Sequence, residues 1–136
     1  MSEAADPLAG YWDSLASTVA AAVAAGRIGT PKALRLTVHV HAPDSAAAAD
    51  AGARTVAAAR RCAAEWFGGE ADGDYGVGDP RRASARLLRW PGGQSALLAV
   101  SAGRGATAGN LVLMGSHGSI YHRIAPSAGP LPGEAW

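Results

Sequence analysis

The chain has one cysteine, Cys62, and one phenylalanine, Phe67, in 136 residues. A lone thiol excludes an internal disulfide framework and suits the reducing cytoplasm, where the protein is expected to reside. With aromatic residues at only 6%, the core has to rest on Trp12, Trp66, Trp90 and the branched aliphatics. No apolar run approaches the roughly 20 residues that cross a bilayer, so no membrane segment is expected. Glu3 and Asp6 stand where a secretory leader would be basic. Neither charge sign is in surplus, with 12 Lys and Arg against 11 Asp and Glu, so there is no electrostatic footprint for nucleic acid. The chain also lacks a strand, Gly-x-Gly-x-x-Gly turn and helix in succession. Gly103, Gly105 and Gly109 are followed by Asn110-Leu111-Val112-Leu113-Met114, a strand pattern, so neither a dinucleotide nor any other cofactor is expected.

What is present reads as one domain of two helices and five strands. Leu15, Val19, Ala22 and Val23 recur at helical spacing from Tyr11 to Ala25, and Gly26 is a natural stop. Residues 33–41 alternate: Leu34, Leu36, Val38 and Val40 face one way, and Arg35, Thr37, His39 and His41 the other. Asp44 or Ser45 can cap a second helix reaching Phe67, which Gly68-Gly69 ends. Its expected apolar stripe is Val56, Ala59, Ala63 and Trp66 or Phe67, with Gly52 bending or splitting the first turns. Residues 68–80, rich in Gly and Asp, read as a loop. Strand-like runs follow at 83–90, 94–102, 110–115 and 118–124, the first two joined by Pro91-Gly92-Gly93. The order predicts an α+β fold: an open, largely antiparallel sheet with helices on one face, occupying residues 11–125. Residues 1–10 read as a disordered N-terminus and residues 126–136 as a Pro-rich tail. Helices on one side leave either Leu98 and Val100 or Leu97 and Ala99 uncovered on the other, which predicts an oligomer.

Three segments carry a resemblance. Gly26-Arg27-Ile28-Gly29-Thr30-Pro31 resembles the Gly-x-Ile-Gly-x-Pro turn that opens the C-terminal half of the Gfo/Idh/MocA oxidoreductases. Asp79-Pro80 through Trp90-Pro91-Gly92-Gly93 resembles that family's aspartate, strand and Pro-Gly-Gly hairpin. Gly115-Ser116-His117-Gly118-Ser119-Ile120 resembles its Gly-Thr-x-Gly-x-Ile turn. The resemblance covers roughly residues 11–125. It implies the substrate-binding and oligomerisation domain of an oxidoreductase, here without the dinucleotide-binding domain that members carry ahead of it. It also implies a homo-oligomer through the open sheet face. Trp66-Phe67-Gly68 resembles the end of the helix that bears the family's Asp-x-x-x-His proton-transfer pair. Counting back places Arg54 and Ala58 at those two positions, and neither side chain can relay a proton at neutral pH.

His39 and His41 are the sharpest chemical lead. Two apart on a strand, their imidazoles share a face with Cβ atoms about 7 Å apart. As metal ligands they would need a third donor from Asp44, His117 or His122, and no metal is favoured. They are also the candidate catalytic residues for acid-base work. Tyr121 and Arg123 share one face of the last strand. Together with Arg35, His39 and His41 they are candidates to hold a small polar ligand. Cys62 beside the apolar stripe reads as a small core residue. The leading reading is a non-catalytic ligand-binding or assembly protein, accessory to a metabolic or biosynthetic pathway, docking on its own copy or on a full-length oxidoreductase. One alternative is a cofactor-independent isomerase, dehydratase or cyclase using His39 and His41. The other is one half of a split NAD(P)-dependent oxidoreductase whose nucleotide-binding subunit is a separate chain.

Overall fold

A computed structural model describes residues 9–79 and 82–124. Helix α1 (Ala9–Ala24) leads into strand β1 (Pro31–His41), followed by helix α2 (Ser45–Phe67). Five further strands follow among the described residues: β2 (Gly73–Asp79), β3 (Ala83–Arg89), β4 (Ser95–Gly103), β5 (Ala108–Gly115) and β6 (Ser119–Ile124). They form one six-stranded sheet in the order β2-β3-β4-β1-β5-β6. Only the β1–β4 pair is parallel; the others are antiparallel. The expected α+β open sheet is therefore the fold observed. Ala9 and Gly10, placed in the expected loose N-terminus, open α1; the rest of that segment and the tail at 126–136 lie outside the described residues. Neither helix is long and apolar enough to cross a membrane.

Both helices start and stop for local reasons. Gly26, at φ 80°, ends α1 in the left-handed conformation. Its N–H donates to the Val23 carbonyl and the Arg27 N–H to the Ala22 carbonyl, so the last carbonyls of the helix are satisfied. Asp44 caps α2 by accepting the Ala47 N–H at 2.8 Å. Gly68 closes α2 at φ 84°, its N–H donating to Ala64. Gly52 neither bends nor splits this helix, which runs unbroken for 23 residues. Its buried stripe is Ala48, Ala51, Gly52, Thr55, Ala58, Ala59, Cys62, Ala63 and Trp66, while Val56 is only partly buried. Small side chains along this stripe let the helix axis settle close over β1 and β4. That geometry is why so much of the apolar content is alanine.

Both helices lie on one face of the sheet. Beneath them are Leu34, Leu36, Val38 and Val40 of β1 and Ala96, Leu98 and Val100 of β4. Leu111, Leu113, Ile120 and Ile124 extend the same layer, and Tyr11, Trp12, Leu15 and Val19 reach it from α1. Trp66 donates its indole N–H to the Ala16 carbonyl at 3.3 Å, and Trp90 donates to Gly69 at 2.7 Å. Phe67 packs edge-on against Trp90 at 4.7 Å.

Residues 68–80 are not a loop throughout. Strand β2 occupies Gly73–Asp79 and pairs with β3 from Gly73–Arg89 to Asp79–Ala83. The sheet thus has six strands where five were expected. Three glycines hide the strand from any propensity argument. It is held by ladder bonds and by Asp74, which accepts from Arg60 of α2 at 2.6 Å and from Arg86 of β3 at 3.1 Å. These arginines hold the Asp74 carboxyl below the ordinary aspartate range. A depressed carboxyl stabilises the fold above its unfolded pKa and loses that contribution as pH falls through the folded value. Because all three side chains are about one-third exposed, the Asp74→Asn cost at neutral pH should stay under about 1 kcal/mol. In denaturant titrations across pH, the gap between wild type and this variant should close in strong acid.

Two turns that resemble each other's family context in sequence form one joint. The Ser116 N–H donates to the Thr30 carbonyl, the His117 N–H to Ile28, and the Thr30 N–H to Ser116 Oγ at 3.0 Å. A Cβ at Gly115 would run into the Ile28 carbonyl oxygen, and one at Gly29 into the Ser116 and His117 side chains. Gly115→Ala should therefore cost about 2 kcal/mol or more in urea unfolding, through a forced backbone shift. Gly103→Ala, whose Cβ would meet only His39 Cε1 at 3.7 Å, should stay near neutral.

Candidate functional site

The face of the sheet away from the helices carries the side chains that chemistry could use. Residues paired across strands point to the same side, so the registers define rows. One row crosses all six strands: Tyr75, Leu87, Leu97, Arg35, Val112 and Tyr121. Beside it runs Val77, Ala85, Ala99, Thr37, Asn110 and Arg123. A third row holds Asp79, Ala83, Ser101, His39 and Ala108. Of the two pairs left open by the sequence, Leu97 and Ala99 are the uncovered ones. Tyr75, Val77, Leu87, Leu97, Met114 and Tyr121 are each 40% to 68% exposed, and all six lie on this face.

Arg35, His39, His41, Tyr121 and Arg123 all stand on the open face. They do not converge. Val112 stands between Arg35 and Tyr121, putting their strands two spacings or about 10 Å apart. His39 and His41 lie at the far end of β1, under the connection from β4 to β5. His39 Nδ1 is 2.8 Å from Ser101 Oγ. His41 Nδ1 donates to the Gly105 carbonyl at 3.2 Å, while its backbone N–H donates to Thr107 Oγ1 at 3.0 Å. A Cβ on Gly105 would press on His39 Nε2 at 3.3 Å, so the glycine lets the loop lie flat over the ring. His41 thus ties Gly105 and Thr107 to β1, while the His39 ring is held to β4 through Ser101 and lies beneath Gly105.

Their three suggested partners are elsewhere. His122 is buried on the opposite, helix-covered face, stacked on Tyr11 at 5.5 Å, because its parity in β6 is that of Ile120 and Ile124. His117 sits in the β5–β6 turn, 2.9 Å from Ser116 Oγ and beside the start of β1. Asp44 is committed to capping α2. Among the described residues no three His, Cys, Asp or Glu side chains gather as a metal site.

At the positions where the resemblance expects the proton-transfer pair, Arg54 is ion-paired with Asp50 at 2.8 Å and Ala58 is buried. Burial pushes the Cys62 thiol up to about 11, so it stays protonated and non-nucleophilic at neutral pH. Burial likewise raises the Tyr11 phenol. With Asp74 lowered, the shifts of Tyr11, Cys62 and Asp74 all move away from neutrality rather than toward it.

Two concavities were not foreseen. One of about 230 Å³ lies between the helices, lined by Trp12, Asp13, Ala16, Ser17, Arg61, Cys62 and Glu65. A larger one of about 650 Å³ opens at the C-terminal ends of β1 and β4, where Arg82 and Arg104 face the first turn of α2. Its arginines come from two connections far apart in sequence, so no local motif announces it.

With this geometry in view, comparison with solved structures identifies the fold. It is that of the C-terminal domain of Gfo/Idh/MocA-type dehydrogenases. A probable dehydrogenase from Thermotoga maritima superimposes with TM-score 0.68 and 18% identity, over 88% of this chain and 41% of that one. A myo-inositol dehydrogenase from Corynebacterium glutamicum gives TM-score 0.63 at 14% identity, over 88% and 40%. The scyllo-inositol dehydrogenase from Lactobacillus casei with bound NAD(H) and scyllo-inositol gives 0.57 at 16% identity, over 81% and 38%. This chain thus spans about two-fifths of the length of these proteins. No family model and no curated protein matches its sequence.

The histidine brace has a direct consequence. The His41 ring hydrogen bond contributes about 1 kcal/mol, so His41→Ala should raise amide hydrogen exchange of residues 103–107 about fivefold. Exchange in the centres of β1 and β4 should be unchanged.

Proposed function

We propose that this chain is a non-catalytic assembly module, working by docking its open sheet face onto a second sheet. One observation carries the reading: among the described residues, all six large apolar side chains exposed to solvent stand on that face. Their main row runs from edge strand to edge strand, five spacings or about 24 Å. A groove-sized ligand or a single helix would leave part of it wet, whereas another sheet of similar width would cover it. The homo-oligomer implied by the resemblance is one such arrangement, and docking on a full-length oxidoreductase is another.

A ligand-holding role accompanies this reading, favoured by the cleft at the ends of β1 and β4. Two guanidiniums and the first turn of α2 suit an anionic or polyhydroxylated compound. Arg35, Tyr121 and Arg123 act in the docking face under this proposal, and His39 and His41 shape its border. The cofactor-independent enzyme is the weaker reading: His41 Nδ1 is engaged by the Gly105 carbonyl, and His39 Nδ1 by Ser101, with its Nε2 buried beneath Gly105. A split oxidoreductase would need both proton relay and hydride carrier from its other chain.

Sedimentation in high salt, where charge effects are screened, tests the docking face. The wild-type chain should associate reversibly at high micromolar concentration, and Leu97→Asp should restore the 13.6 kDa monomer. A wild type that stays monomeric under those conditions would exclude docking on its own copy.

A further inference from the structure

The charges on the open face differ from those of the whole chain. Three of its side chains are guanidiniums: Arg35 on β1, Arg89 on β3 and Arg123 on β6, all exposed. None of them has a hydrogen bond or ion pair among the described residues. Among the described residues the face carries a single carboxylate, Asp79, at the corner of edge strand β2, and Asp79 is already engaged. Counting three arginines against one aspartate gives the described residues of the face +2, although the chain as a whole is +1 with histidines neutral. Positive charge is therefore concentrated where the apolar side chains are.

Arg35 occupies the middle of this surface. Strand β1 is one of the two central strands, and Arg35 is the fifth of its 11 residues. Its row neighbours are Leu97 and Val112. Two copies stacked face to face about a two-fold axis, centre over centre, would press Arg35 toward its own copy inside an apolar layer. The single Asp79 could meet only one of the three arginines on the opposing copy. The remaining guanidiniums would be desolvated without partners, the costly way to bury a charge. Arginine among aromatics and aliphatics is otherwise what a specific interface is made of, provided carboxylates arrive opposite.

We propose that the open face is built for a non-identical partner: a sheet face with an apolar centre and Asp or Glu side chains set to meet Arg35, Arg89 and Arg123. This rests on the docking reading above and names its partner. Self-association through the same face is then the weaker event, limited by like charge and helped by salt. Association with the acidic partner is the tighter event and is weakened by salt.

The chain itself can supply the probe. The triple variant Arg35→Glu, Arg89→Glu, Arg123→Glu keeps the apolar residues and reverses the charge. All three positions are exposed, and circular dichroism checks that the variant folds; Arg35→Glu alone serves if it does not. At low ionic strength, wild type mixed with the variant should associate at least about tenfold more tightly than either protein with itself. Raising salt should weaken the mixed complex and strengthen wild-type self-association. Arg35→Gln should also strengthen self-association. Wild type pairing with itself at low salt as tightly as with the variant would overturn the proposal in favour of a homodimer, as would a loss of pairing in Arg35→Gln. Absence of any association, mixed or self, at every salt concentration would instead remove the docking reading on which the proposal stands.

Discussion

Two helices can cover only one side of a six-stranded sheet, and most of what this chain presents follows from that. The alternation in β1, β4 and β6 is forced by it: Leu34, Leu36, Val38 and Val40 go under α1 and α2, so Arg35, Thr37, His39 and His41 must go to the other side. The covered side closes tightly because α2 offers alanines to β1 and β4. The uncovered side cannot close within the described residues, and it retains large apolar side chains that a solvated face would not need.

Central placement of β1 sharpens this constraint. It pairs in parallel with β4 and antiparallel with β5, so its neighbours approach from both sides along most of its length. Gly109 and Gly115 are where β5 and its turn come closest: a Cβ on Gly109 would strike the Thr37 carbonyl, and one on Gly115 the Ile28 carbonyl. The turn entering β1 and the turn between β5 and β6 thereby become a single joint. The likeness of each turn to a known motif reflects this shared packing and says nothing about chemistry, which resides in sites rather than folds.

The chemistry that the fold is associated with has little support in this chain's own residues. Arg54 and Ala58 occupy the helix where the resemblance expects a carboxylate and an imidazole. The resolved proton affinities are displaced away from neutrality by burial or by ion pairing, which suits structure more than proton transfer. What the surface does offer is contact: a wide apolar row, three guanidiniums with no partner among the described residues and a cleft at the strand ends.

Local signals made much of the architecture readable. Helix ends were marked by Asp44, Gly26 and Gly68, the two-residue period marked β1, and both hairpin turns were glycine-marked, because caps, periods and turns depend on residues close in sequence. Strand β2 was not readable: Gly73, Gly76 and Gly78 have no strand preference, and what fixes them is β3 alongside and Asp74 reaching Arg60 and Arg86. For the candidate site, the sequence determined that Arg35, His39 and His41 share a face and that Tyr121 and Arg123 share one. Only the tertiary structure decided that these faces are the same one, that Val112 separates their strands, and that His122 is turned away into the core. Strand order and register are set by pairing between residues as far apart as β1 and β5. A period along one strand fixes which side chains are neighbours on that strand and leaves undetermined which strand lies beside it.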